Sequence, residues 1–481
     1  MSSINKKVAI VGGGVAGSSI ALYLSELGLD VTLFEKGVSL VNGPPICHLH
    51  AGGNLYREIS NEQCVTLLKQ SIDLLRFLPH AIDFRPTVVA VPIDDDAKPE
   101  DLCSRLHLLR DEYKSLIELD ISNKVLGDVT DYFKVYERSD IEVLATLTTK
   151  SKPESLDDWM IPVAKNIDLD KVKYPLVMVQ EYGLNIFRIA STLTLSLNTI
   201  ANARTLTDTK VTNVTKIDSD ARWKIEYQHA NKKREEEFGF LINAAGFRSG
   251  DIDDMLGLKR DRLVEFKAAY VTKWEACDAI WPEIIFHGKR GTPRGMAQFT
   301  PYPDGYFQVH GMTNEITLFD DGLVKSSHSS AQPKLGSKFI QKIETNWKIS
   351  DVKKRTKLAI EHVSNFIPDF IDGKITSKPL YGAQQIPGKD ASLRASDVSF
   401  VGDNYARCEI VKASSVLSMA DAITEKLITL KYLENSAYKT RGFKHMNKIA
   451  KEEIEQYAEV LCLERDYPAS LAHVNSSKNI N

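Results

Sequence analysis

Three consecutive glycines stand near the start of this chain, and the residues on either side of them leave few folds open. Val8 to Val11 is a fully apolar run of the kind a buried parallel strand requires. Gly12, Gly13 and Gly14 end it. Val15 to Leu27 then sets Ile20, Leu24 and Leu27 among small residues, the pattern of a helix packed closely on a sheet. Gly28 caps that helix, and Val31 to Phe34 is a second short strand that ends at Glu35. Strand, helix and parallel strand together make a right-handed βαβ unit.

Within that unit Gly12, Gly14 and Gly17 fit the spacing GxGxxG. Gly12 permits the sharp turn, Gly14 lets the backbone approach a pyrophosphate, and Gly17 allows close contact between helix and strand. The first helical turn, with Val15 and Ala16, offers free N–H groups to the anion. Glu35 follows at the end of the second strand, where a carboxylate accepts hydrogen bonds from ribose hydroxyls and repels a 2′-phosphate. The unit is therefore expected to bind an adenine dinucleotide.

Composition narrows the class further. The chain has 481 residues, more than one core usually organises, with 43% hydrophobic and 26% charged residues, as in ordinary globular proteins. Lys and Arg number 61 against 64 Asp and Glu, a net charge of -3, so no bulk positive field exists to hold nucleic acid. Six scattered cysteines form no CxxC pair or metal-spaced cluster, and they read as reduced thiols with no metal site. Val8 to Leu29 is the most apolar long stretch, yet its four glycines before Gly28, three serines and Glu26 suit a turn and a helix rather than a lipid span. No integral membrane segment is expected, and a cytoplasmic location is favoured.

Further along, helices are predicted at 62–78, 101–119 and 183–199, and strands at 84–92, 205–217, 223–227 and 240–244. The interval 120–178 has weak periodicity. Short alternating runs at 264–273, 284–287, 295–300, 306–312 and 316–318 predict an antiparallel sheet. A strand at 398–401, a helix at 412–430 and a frayed tail from about 467 complete the reading. The fold class is α/β: a Rossmann-like dinucleotide-binding domain with an interleaved α+β substrate domain built on an antiparallel sheet. Segments 1–80, 179–262 and 375–435 are assigned to the first domain, 81–178 and 263–374 to the second, and 436–481 to a C-terminal helical tail.

Three pieces in order resemble the FAD-dependent oxidoreductases of the D-amino-acid oxidase and glutathione reductase-like superfamily. They are Val8 to Glu35, the strand Phe240 to Ala244 closing on Ala245-Gly246, and Ser399-Phe-Val-Gly402-Asp403 followed by a helix. The resemblance implies FAD as cofactor, with Lys36, Val211, Ala245 and Gly246 around the nucleotide and Asp403 on the ribityl chain. It places the flavin ring at the start of the following helix, beside Val411, Lys412 and Ala413, where N–H donors and the Lys412 ammonium stabilise charge on the reduced ring. Cys47 to Tyr56 resembles the flavin-side loop of malate:quinone oxidoreductases and 2-hydroxyglutarate dehydrogenase-like proteins. In dimethylglycine and sarcosine dehydrogenases a similar segment carries flavin covalently on histidine, which makes His50 a candidate for attachment or for contact with flavin or substrate.

Oxidation of a carbinol or amine carbon needs a group to take a proton and usually a cation to hold a carboxylate. Arg294 is the expected clamp and His310 the expected base, because Tyr306, Gln308 and His310 share one polar face of a strand. Where many amine-oxidising relatives carry an arginine near the last flavin segment, this chain has Gln384, which cannot balance a carboxylate. The expectation is an enzyme that oxidises a small hydroxy acid or amine and passes electrons to a quinone, a carrier or oxygen, with peripheral membrane association if the acceptor is a quinone. A flavin monooxygenase using NAD(P)H and oxygen and a non-catalytic flavin-binding redox sensor are the alternatives.

Overall fold

Val8–Val11 is buried along its whole length and pairs in parallel with Val31–Phe34 on one side and Phe240–Asn243 on the other. The computed structural model describes residues 6–43, 59–217, 222–409, 412–435 and 442–474. Among these, the first sheet runs Val398–Val401, Tyr405–Cys408, Phe240–Asn243, Val8–Val11, Val31–Phe34, Ala203–Leu206. Only Val398–Val401 is antiparallel to its neighbour. The parallel strands therefore end together, and the segments at Gly12, Glu35, Ala244 and Glu409 gather at one edge, where ligands of such sheets bind.

One element of the sequence reading changes here. The strand that enters the parallel stack before the last long helix is Tyr405–Cys408, fully buried, whereas Val398–Val401 is a partly exposed edge strand. The run Tyr-Ala-Arg-Cys hides its strand character behind Arg407, whose charge is neutralised inside the protein by Asp253. Gly402 and Asp403 consequently lie in the hairpin turn at the opposite edge of the sheet.

The second sheet is larger. Its path is Leu323–Lys325, Arg262–Lys273, Tyr306–Gly311, Ala297–Pro301, Glu283–Phe286, Thr87–Pro92, Val172–Val179, Phe133–Tyr136, with Leu380–Pro387 and Lys374–Ile375 also pairing to Arg262–Lys273. Most pairs are antiparallel, as expected, but Glu283–Phe286 runs parallel to Thr87–Pro92. The weakly periodic interval contributes two of these strands, Phe133–Tyr136 and Val172–Val179, and two helices, Arg138–Ala145 and Leu156–Asn166. The stretch 316–318 is not a strand; the edge position is taken by Leu323–Lys325.

Alternation divides this sheet into two unlike faces. Val264, Phe266, Ala268, Tyr270, Ile284, Phe299, Phe307 and Val309 belong to one apolar core, together with Val352, Ile360 and Val363 of the helix Ile349–Ser364. Glu265, Glu283, Gln298, Thr300, Gln308 and His310 project from the other face and are all buried. A buried face of that composition needs a polar neighbour or a ligand.

A third, three-stranded sheet carries Thr209–Ile217, Arg222–His229 and Lys232–Phe238 beside the parallel sheet. The tail does not fray at 467. Tyr467, Leu471 and Ala472 are buried, and the helix Lys451–Glu464 is tied to Ile186–Asn198 by the Ser191 hydroxyl, which donates to the Ile454 carbonyl at 2.7 Å.

Candidate active site

The glycine fingerprint can be read from what a side chain would meet at each position. A Cβ on Gly17 would lie 1.8 Å from the Gly12 carbonyl oxygen, and one on Gly12 would lie 2.4 Å from the Ala244 carbonyl oxygen. These two glycines are required by packing. A Cβ on Gly14 would meet nothing within 4 Å. Gly14 faces open space at the start of the helix Val15–Glu26, whose first turn has no side-chain cap and no acidic residue. That is the cradle a diphosphate fits.

Glu35 closes one side of it. Its carboxylate accepts from Gly13 N–H at 2.7 Å and Gly37 N–H at 2.6 Å, and its carbonyl accepts from Thr209 N–H at 2.8 Å. That last bond brings Val211, two residues along the same strand, to the Glu35 side of the site. Ala245 and Gly246 follow the strand Phe240–Asn243, and Ala244 and Ala245 sit against Gly12. Lys36 faces the Glu344 carboxylate at 3.7 Å.

The flavin end is drawn by a different strand than expected. The Tyr405–Cys408 strand leads through Glu409 to Lys412, Ala413 and the helix Val416–Thr429, so Lys412 and Ala413 stand at the carboxyl edge as the sequence implied. Asp403 does not. Its carboxylate is 77% exposed and pairs with Lys426 at 3.0 Å in the last turn of that helix, so Gly402 and Asp403 lie at the far edge of the sheet from Gly14. Glu409 is buried and accepts from Arg260 Nε at 2.7 Å and Nη2 at 2.6 Å. His50 and Val411 fall outside the described residues.

On the substrate side Arg294 is also displaced. Its side chain is 72% exposed and pairs with Asp94 at 3.1 Å, so it holds no buried carboxylate. Gly288 and Gly295 pack directly on backbone at the two ends of the turn, and within it Arg294 faces out while Arg290 turns in to Glu265. His310 occupies the position expected of it, on the polar face and directly across from Gln298. Its Nδ1 is buried with no hydrogen-bond partner. Burial, then the charges of Lys267, Lys412 and His362, push its pKa down to about 3, so the ring is neutral.

Lys267 lies in a strand of the large sheet and Lys412 follows the last strand of the parallel sheet, and the charges of both bear on His310. Lys267 pairs with Glu265 at 2.9 Å, and Arg290 donates to the other oxygen of Glu265. Burial, only partly offset by Glu265, lowers the Lys267 pKa, with Arg290 and Arg394 adding to the effect. Burial would raise the Glu265 carboxyl, but Lys267 and Arg290 outweigh it and hold it below its ordinary range. Lys267, Arg290 and Arg394 thus act on the Glu265 carboxylate, and Lys267 and Lys412 on the His310 imidazole.

None of Glu265, Lys267, Arg290 and Arg394 was singled out from the sequence. The signal for the first two was present: they alternate with Val264, Phe266, Ala268 and Tyr270 in one strand. Among the described residues no group of three or more His, Cys, Asp or Glu side chains could hold a metal ion, and no helix is long and apolar enough to cross a membrane.

Residues 7–125 match the family model of the FAD-dependent oxidoreductases, DAO. No curated protein matches the chain. Solved structures share its fold at low identity. The glycine oxidase from Geobacillus kaustophilus is 11% identical over 89% of this chain and 95% of that one, with a TM-score of 0.55. The L-amino acid deaminase from Proteus vulgaris is 13% identical over 89% and 94%, with a TM-score of 0.56. The L-alpha-glycerophosphate oxidase from Mycoplasma pneumoniae, solved with FAD bound, is 14% identical over 88% and 94%, with a TM-score of 0.54. The dinucleotide cradle and the start of the parallel sheet thus lie within the segment that matches the FAD-dependent oxidoreductase model, and the chain as a whole shares the fold of these solved oxidases and deaminase.

Proposed function

We propose that the enzyme oxidises a small molecule in which a carboxylate neighbours a hydroxyl- or amine-bearing carbon. The observation that carries this reading is the buried His310 on the polar face of the large sheet, whose Nδ1 has no hydrogen-bond partner and whose ring is kept neutral by burial and by the charges of Lys267 and Lys412. FAD, when bound, supplies the acceptor for the hydride that leaves the substrate carbon. Everything else falls to the chain.

A carboxylate entering beside Lys267 and Lys412 meets two ammonium groups on the side of His310. It replaces lost hydration with ion pairs in a buried setting, where such pairs are strong. The same anion offsets two of the charges that depress His310, so substrate binding raises the basicity of the imidazole. A base with a pKa near 3 is weak; one lifted toward neutrality is suited to taking the substrate hydroxyl or ammonium proton. Gln384 lies across from Glu265 in the adjoining strand and offers a neutral hydrogen-bonding group to the remainder of the substrate.

The test is steady-state and anaerobic kinetics with a panel of hydroxy acids and amino acids. His310→Gln is expected to keep its flavin and to lose roughly 10²- to 10⁴-fold in kcat. Lys267→Met is expected to raise KM for the acid at least about tenfold, the scale of one charged hydrogen bond. Wild-type kcat in the first variant and wild-type KM in the second would remove the assignment. Rates with oxygen, a soluble quinone and an artificial carrier distinguish the electron acceptors.

A further inference from the structure

The segment that follows Glu35 contains a residue in an unfavourable conformation. Val41 has φ of 55°, a left-handed backbone that a β-branched side chain resists. Such a geometry persists only where its surroundings hold it from several sides. Two hydrogen bonds do so. The Val41 N–H donates to the Gly13 carbonyl at 2.8 Å, and the Val41 carbonyl accepts from Arg465 Nη1 at 3.1 Å.

Arg465 stands at the end of the C-terminal helix Lys451–Glu464, more than four hundred residues away in sequence. Its Nη2 also donates to the Leu40 carbonyl at 2.9 Å and the Ser39 hydroxyl at 3.1 Å. One guanidinium therefore fixes three consecutive residues, and its carbon lies 5.8 Å from the centre of the Phe187 ring. Leu40 and Val41 are buried, and the Leu40 side chain fills the space in which a Cβ on Gly13 would lie. Gly13 is thus enclosed by Glu35 on one side and by Leu40 and Val41 on the other.

We infer that Arg465 is a positioning residue for the cofactor: by holding residues 39–41 against Gly13, it keeps the Gly13–Gly14 backbone in the shape that receives the diphosphate. The inference rests on the FAD assignment and is independent of the substrate reading. It gives the C-terminal helix a part in cofactor binding although no residue of it belongs to the glycine fingerprint.

The experiment measures the FAD concentration that half-loads the full-length apoprotein, alongside the far-UV circular dichroism and melting temperature of that apoprotein. Arg465→Met keeps the apolar stem and loses the donors; it is expected to raise the half-loading concentration at least about tenfold. Arg465→Lys, with one charged donor group in place of the fork, is expected to fall between it and wild type. Ser191→Ala removes a different tie between the tail and the rest of the protein without touching residues 39–41. It is expected to lower the melting temperature while leaving FAD loading within twofold of wild type. Unchanged loading in Arg465→Met, or loading losses in all three variants that simply follow their melting temperatures, would overturn the inference. Should Arg465→Met not fold, Arg465→Lys decides: unchanged loading there overturns it equally. Failure of the wild-type chain to load FAD would instead contradict the cofactor assignment.

Discussion

Gly14 and Gly17 share a motif but do different work, and the difference is measurable. A methyl group on Gly17 collides with the Gly12 carbonyl, a backbone atom that cannot step aside, so Gly17→Ala damages the fold itself. A side chain on Gly14 enters open space, so Gly14→Val is expected to fold with a near-wild-type melting temperature and to bind no FAD. Absorbance at the flavin band and calorimetry on the two apoproteins separate these outcomes. A Gly14→Val protein that retains full flavin content contradicts the placement of the diphosphate. At this scale the sequence was informative wherever a residue type had a single physical use: Gly12 and Gly17 are packed on backbone, as the tight turn and the close helix contact require. Arg294 and Asp403 failed for the opposite reason, since arginine and aspartate serve equally well in surface pairs, and local sequence does not tell which partner a charge will find.

The elements are joined by a buried ionic cluster that sequence could not reveal. Asp253, in the short helix Ser249–Met255, is fully buried and accepts from Arg262 Nη2 at 2.6 Å, Arg407 Nε at 2.6 Å and the Tyr405 hydroxyl at 2.8 Å. Arg262 begins the strand that carries Glu265 and Lys267, while Arg407 lies in the strand that leads to Lys412. One carboxylate therefore ties together the two strands whose lysines flank His310. Asp253→Asn is expected to cost about 3–5 kcal/mol, because it leaves two buried guanidinium groups without their counter-charge. Urea unfolding monitored by tryptophan fluorescence measures this. A loss of under about 1 kcal/mol would show that the cluster is not what aligns the strands. The same cluster explains why Tyr405–Cys408 escaped recognition as a central strand: a run containing arginine does not look like one until its partner, far away in sequence, is known. The first βαβ unit, by contrast, was legible because every residue that defines it is local.

For the molecule as a whole, the neutral state of His310 links pH to stability and to ligand. Its pKa in the folded protein, about 3, lies below the value near 6.5 of an unperturbed histidine. Between those values the unfolded chain binds a proton that the folded chain does not, so acidification favours unfolding. The stability this group contributes is complete above about pH 6.5 and is lost as the pH falls toward 3. Wild type is therefore expected to lose more of its melting temperature than His310→Gln between pH 7 and pH 4.5. Equal losses would show that His310 is not held neutral by its surroundings. A bound carboxylate should narrow the gap, because the anion raises the folded pKa. The two-layer plan, a parallel cofactor sheet facing the polar side of an antiparallel sheet, followed from the order of motifs. Which face of the second sheet is polar followed from alternation along Tyr306–Gly311, whereas the charges of Lys267 and Lys412 acting together on His310 depend on contacts far apart in sequence.

The central claim is that FAD held above Gly14 is reduced by a carboxylate-bearing substrate lying between Lys267, Lys412 and His310. Anaerobic titration of the flavin-loaded protein with hydroxy acids and amino acids, followed at the flavin absorption band, tests it most directly. The account predicts that at least one such acid bleaches the band in wild type, and that the same bleaching in Lys267→Met requires at least about tenfold more of it. A fully loaded protein whose band no acid alters, or one reduced equally well by the uncharged alcohol or amine, would contradict it.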